Sequence, residues 1–182
     1  MIRPLFGGAM SAVLPLNTKD ISELREIPDN QEVFTHTNTD QSIIIELLEY
    51  QSHVEDSQAA RYHFADIAGS NQAVEVGQME VMEVQCVPQD QLSLSQCSSA
   101  WILTGTQLVS KFNEEVKNTV NIHLCLFRLP QYTTDILITF NDPVSISPLS
   151  ISSGAVSDGV WTVQDFHTLV QSFRLLNPEV FG

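Results

Sequence analysis

The chain has 182 residues, 43% hydrophobic and 16% charged, with 22 acids against 8 bases and a formal net charge of −14. That is apolar enough to bury a core, which excludes disorder along the whole length, and the size suits one domain over 1–182. So negative a balance argues against nucleic acid and anionic membranes as direct partners, since both are held by Lys and Arg, and makes a basic protein surface the natural complement.

In chain order, Ala9–Leu14 reads as a first strand closed by Pro15, and Thr18–Leu24 as a short turn-like helix. The stretch REIPDNQEVF then combines turn chemistry at Pro28, Asp29 and Asn30 with a second strand from Val33 to Thr37. Residues 41–53, capped by Thr39 or Asp40, place Ile44, Leu47, Leu48 and Gln51 at i, i+3, i+4, i+7, which predicts an amphipathic helix with Glu46 and Glu49 outward. SQAARYHFADI from Ser57, ended by Gly69, predicts a second short helix.

From Ala73 the pattern alternates, with Val74, Val76, Met82 and Val84 on one set of positions, and SAWILTGTQLVSKF continues in that mode. TVNIHLCLFRL and YTTDILITFN flank Leu129-Pro130-Gln131 and read as an antiparallel hairpin with one nearly all-apolar, central arm. Residues 142–160, rich in Ser, Pro and Gly, read as a flexible loop. Thr162 and Asp165 have capping-box spacing, and Phe166, Leu169, Val170 and Phe173 form one stripe on a last helix stopped at Asn177-Pro178. The sum is an α+β protein: a mostly antiparallel sheet of six to seven strands covered by helices on both faces.

Little catalytic chemistry is encoded. Cys86, Cys97 and Cys125 are odd in number and widely spaced, which predicts reduced thiols, and the five histidines show no metal-ligand spacing. No GxSxG, GxGxxG or P-loop occurs; Gly7-Gly8 more simply allows a close backbone approach. His63 between aromatics reads as a buried, hydrogen-bonded imidazole, Arg61 and Arg128 as structural counter-ions, and Trp101 and Trp161 as packing. MIRPLFGGAMSAVLP, broken by Pro4, Gly7, Gly8 and Pro15, reads as neither a signal peptide nor a membrane-inserting segment, which places the chain in the cytosol or nucleus. Asp29 and Glu32 remain open between two readings: turn punctuation with a solvated rim, or charge-assisted acceptors for a partner's Lys or Arg.

Several strings carry a resemblance: PLFGGAMSAVLP, LREIPDNQEVF, SIIIELLE, ARYHF, FRLPQYTTDILITFN and LLNPEVFG, in order across nearly the whole chain. Together they resemble the Ran guanine nucleotide release factor, or Mog-one, family, with PDNQEVF and RLPQYTTD the most specific. The resemblance implies a PsbP-like fold, an antiparallel sheet with helices on both sides. It also implies binding to the small GTPase Ran with loss of its guanine nucleotide, antagonism of the dedicated exchange factor, and a part in nucleocytoplasmic transport from nucleus and cytoplasm. No enzymatic residues, metal or cofactor are implied. The family's acidic pair falls on Asp29 and Glu32, framed by Arg25, Pro28, Asn30 and Gln31, within a wider contact region from Glu23 to Asp66. Vertebrate members are also linked to surface delivery of a voltage-gated sodium channel, a trafficking-adaptor role for which these residues show no carrier.

Overall fold

Strand formation follows the β-branched and aromatic runs, and helices appear where Ala-rich or capped sequence allows. A computed structural model describes residues 1–70, 79–110, 117–143 and 159–181. Strands β1 (Ile2–Leu5), β2 (Met10–Val13) and β10 (Arg174–Leu175) form a small sheet in the order β1-β2-β10. The large sheet takes β3 (Thr18–Asp20), β4 (Gln31–His36), β5 (Ser42–Glu49), β6 (Met79–Cys86), β7 (Ser99–Ser110), β8 (Lys117–Leu129) and β9 (Thr134–Pro143). Its order is β3-β4-β5-β9-β8-β7-β6, with every pair antiparallel. Two α-helices are described, α1 (Asp56–Ser70) and α2 (Val163–Ser172).

Successive side chains of the large sheet feed two cores. Phe34, Ile45, Phe127, Ile138 and Phe140 join Phe166 and Leu169 of α2 and Met10 of the small sheet. On the opposite face Leu103, Ile122, Leu124, Leu126 and Leu137 meet Ala59, Ala60 and Phe64 of α1. Both faces are thus covered, as expected, and the nearly all-apolar β8 is central because each face must be buried. Its hairpin with β9 turns through a 3-10 turn, Pro130–Tyr132, ended by Thr133 at φ 49°. The capping box of α2 is present: Thr162 Oγ1 accepts from Asp165 N at 3.2 Å, and Asp165 Oδ2 from Thr162 N at 2.8 Å.

The predicted helix over 41–53 is not there. Ser42–Glu49 is strand β5, paired with β4 on one side and from Ser42↔Asn141 to Glu49↔Thr134 with β9 on the other. Ile43 and Ile45 are buried in the α2-side core while Leu48 packs with the α1-side core, so both strand faces need apolar residues. A strand covered on both faces reads as a near-continuous apolar run, and such a run matches a helical spacing by accident. Three consecutive isoleucines, stiff at χ1, favour the extended form.

Smaller differences have similar causes. Thr18–Leu24 is half strand, half 3-10 turn; β2 lies within the predicted strand Ala9–Leu14, while β1 and the two-residue β10 carry too little pattern to be read. Gly7 and Gly8 serve positive φ (68° and 94°) rather than close approach, since a Cβ at either would meet nothing within 4 Å. Residues 73–76 and most of the 142–160 stretch lie outside the described residues.

His123 is buried, stacked on Phe140 at 5.5 Å and tilted against Phe166 at 6.0 Å. Desolvation pushes its pKa below the ordinary imidazole value; Asp142 opposes the shift and His167 reinforces it. A folded pKa below the unfolded one means that the unfolded chain takes up the proton first. The stability contributed by neutral His123 is therefore complete above about pH 6.5 and is lost as pH falls through that value toward the folded pKa. His123→Leu is expected to flatten the decline in urea-unfolding free energy between about pH 7 and about pH 5; an unchanged slope would remove His123 as its source.

Candidate functional site

The bend between β3 and β4 starts with a 3-10 turn, Ile21–Glu23, capped by Asp20, whose Oδ1 accepts from Ser22 N at 2.9 Å. Arg25 follows, exposed, with its amide bonded to Ile21 O at 3.1 Å. Pro28 O accepts from Gln31 N at 3.0 Å and closes a tight turn with Asp29 and Asn30 at its centre. Two bonds stitch Asn30 to β5: Nδ2 donates to Leu47 O at 3.1 Å, and its carbonyl accepts from Leu47 N at 2.9 Å. Gln31 Nε2 adds a bond to Glu46 Oε2 at 2.9 Å. The turn is therefore fixed to a central part of the sheet on its C-terminal side.

Asp29 and Glu32 take different places. Asp29 is exposed at the tip, and among the described residues its carboxylate has no hydrogen bond or ion pair. Glu32 is half-buried on β4 beside Ile45, and its Oε1 accepts from Phe6 N at 2.8 Å. Phe6 has φ 51°, and the Phe6–Gly8 turn continues at positive φ. Such backbone is uncommon for a bulky residue. The charge-assisted bond from Glu32 holds that turn against the bend, a role the sequence does not reveal because Phe6 and Glu32 are 26 positions apart.

Asp29 and Asn30 form one lip of an open groove of about 470 Å³. Glu49 at the end of β5 stands on its rim, and Phe6, Leu47, Val180 and Phe181 supply its apolar wall. Phe181 is stacked on Tyr132 with ring centroids 5.0 Å apart, and Leu176 N and Asn177 N both donate to Ala9 O, at 2.8 and 3.0 Å. Sequence reasoning missed Phe6, Val180 and Phe181 as part of a site; their signal was present only in the strings PLFGG and PEVFG at the two ends of the chain.

Beyond Glu49, the β5–α1 connection is organised by one buried cation. Arg128 is 0% exposed, and its guanidinium donates to Asp135 Oδ1 at 3.1 Å, Asp56 Oδ1 at 3.1 Å, Val54 O at 2.7 Å and Gln51 O at 2.6 Å. It also lies 4.3 Å over the Tyr50 ring. Asp135 uses its other oxygen for His63 Nε2, at 3.0 Å. The structural readings of Arg128 and His63 hold, and Trp161 is buried as packing. Among the described residues no group of three or more His, Cys, Asp or Glu could hold a metal ion, and no helix is long and apolar enough to cross a membrane.

The chain is similar in sequence and in fold to known proteins. A Danio rerio protein named Ran guanine nucleotide release factor is 67% identical over 183 residues, covering 100% of both chains. Its Homo sapiens namesake is 47% identical over 98% of this chain and 95% of its own. The Schizosaccharomyces pombe nuclear import protein mog1 is 36% identical over 85% of this chain and 84% of its own. A solved structure of a mutant of protein Mog1 superposes with a TM-score of 0.76 at 25% identity, covering 100% of this chain and 98% of that one. The family model described as Ran-interacting Mog1 protein matches residues 3–143, a span that holds the Phe6 turn and the whole acidic bend, and the chain belongs to that family.

Proposed function

We propose that this protein, present in nucleus and cytoplasm, binds the small GTPase Ran, favours release of its guanine nucleotide, and so modulates nucleocytoplasmic protein transport. It acts as one binding unit over residues 1–182, without covalent chemistry. The names borne by its relatives support the choice of partner and process. The observation that carries the site is Asp29, an exposed carboxylate without an internal partner, held on a bend that Asn30 and Gln31 fix to β5. A rigidly placed anion on an otherwise acidic molecule suits a Lys or Arg of the GTPase.

The mechanism is thermodynamic linkage: a protein that holds nucleotide-free Ran more tightly than loaded Ran lowers nucleotide affinity by the same factor. A thousandfold effect needs about 4 kcal/mol of differential binding. Desolvated charge pairs are of that order, since truncating one partner costs about 2–5 kcal/mol. In this reading Asp29, assisted by Glu32 and framed by Arg25, Pro28, Asn30 and Gln31, draws a cationic loop of Ran away from the phosphates.

The test is release of a fluorescent guanine nucleotide from Ran. Wild-type protein is expected to accelerate release, and Asp29→Lys to abolish the acceleration while unfolding at the same urea concentration. Glu32→Gln keeps a hydrogen-bond acceptor for Phe6 N and is expected to retain part of the activity. Equal release by wild type and Asp29→Lys would end the assignment of Asp29.

A further inference from the structure

Glu32 ties the acidic bend to the N-terminal turn through Phe6 N, and the fold brings the C-terminal turn to the same groove. We propose that the groove beside Asp29 is a second half of the Ran interface, and that it receives one large apolar side chain of the GTPase with a Lys or Arg next to it. This inference rests on the Ran-binding reading and extends the contact region to Phe6 and to the C-terminal turn Pro178–Phe181, outside the Glu23–Asp66 range.

Three features argue for that occupant. The wall is preformed: Leu47 sits in β5, Phe181 is stacked on Tyr132, and Ala9 O pins the chain just before Pro178, so little ordering is required on binding. The wall is also half-exposed apolar surface, from Phe6, Leu47, Val180 and Phe181, which gains by being covered. The charge around it is of one sign: Asp29 and Glu49 are the ionisable residues lining the groove, and neither carboxylate has an internal partner among the described residues.

An uncharged apolar segment would strip water from those carboxylates without replacing its hydrogen bonds, at a net cost. A cation beside the apolar group compensates it, and its aliphatic stem covers more of the wall. A second copy of this chain is a poor occupant, since two bodies of formal charge −14 repel and would meet acid with acid.

The experiment measures Ran binding by Val180→Asp and Glu49→Lys beside wild type and Asp29→Lys, with a thermal melt of each. Both groove variants are expected to bind at least about tenfold more weakly with the fold intact, as truncated interface anchors do. Because Val180 packs against the core, amide exchange of residues 178–181 in wild type is followed as well, and is expected to slow when Ran is added. If both variants bind like wild type and exchange is unchanged while Asp29→Lys fails, the groove is overturned and the bend stands. Loss in the groove variants with Asp29→Lys unaffected supports the groove and removes the bend. Failure of wild type to bind Ran overturns both.

Discussion

Arg128→Met is expected to lower the urea-unfolding free energy by about 3–5 kcal/mol, because it leaves the buried Asp135 carboxylate without its cation. Asp135 is 0% exposed, so water cannot take over. The substitution also strands the carbonyls of Gln51 and Val54, which the same guanidinium serves at 2.6 and 2.7 Å. Arg128→Lys is expected to recover only part of the loss. One ammonium cannot reproduce a planar fork that reaches two carboxylates and two carbonyls while lying over Tyr50. A loss below about 1 kcal/mol for Arg128→Met would mean that the site hydrates or relaxes, and that the cation is no keystone.

The consequence reaches the groove rim. Gln51 and Val54 lie two and five positions after Glu49, so loosening that connection frees the end of β5 as well as the start of α1. Ran binding by Arg128→Met is expected to fall more than its folded fraction alone predicts, whereas an exposed change on α2, outside the contact region, such as Thr168→Ala, should leave it unchanged.

Legibility in the sequence tracked how local each determinant is. The β8–β9 hairpin and the α2 cap were readable because their signals lie within a few residues: a proline-containing turn between apolar runs, and Thr162 three positions before Asp165. The acidic bend was readable for the same reason, as Pro28, Asp29 and Asn30 hold their own turn. Strand β5 was misread because its spacing satisfied two periods at once, and its pairing with β4 and β9 decided between them. The roles of Glu32 and the groove were out of reach. Glu32 bonds to a backbone amide 26 residues away, and the groove joins Phe6 to Phe181 across almost the whole chain. The family resemblance supplied the pair Asp29 and Glu32 as equals; the geometry separates them into a free tip carboxylate and a tethered one.

Phe64→Ala is expected to cost about 3–5 kcal/mol, since its fully buried ring fills the space between α1 and the sheet. That ring has room because of Gly105 on β7. A Cβ at Gly105 would lie 2.8 and 2.9 Å from two Phe64 ring atoms and 2.6 Å from the Glu80 carbonyl oxygen of β6. Gly105→Ala alone is therefore expected to cost about 1–3 kcal/mol through overpacking. In the double variant the ring clash is gone but the backbone clash with Glu80 stays, so the two losses should fall short of adding, with a coupling of about 0.5–3 kcal/mol in urea unfolding. Strict additivity would show that the carbonyl of Glu80, and not the aromatic ring, demands the glycine. The position would then protect the edge pairing of β6 and β7 rather than the docking of α1, the helix that Arg128 and His63 tie to the β8–β9 hairpin.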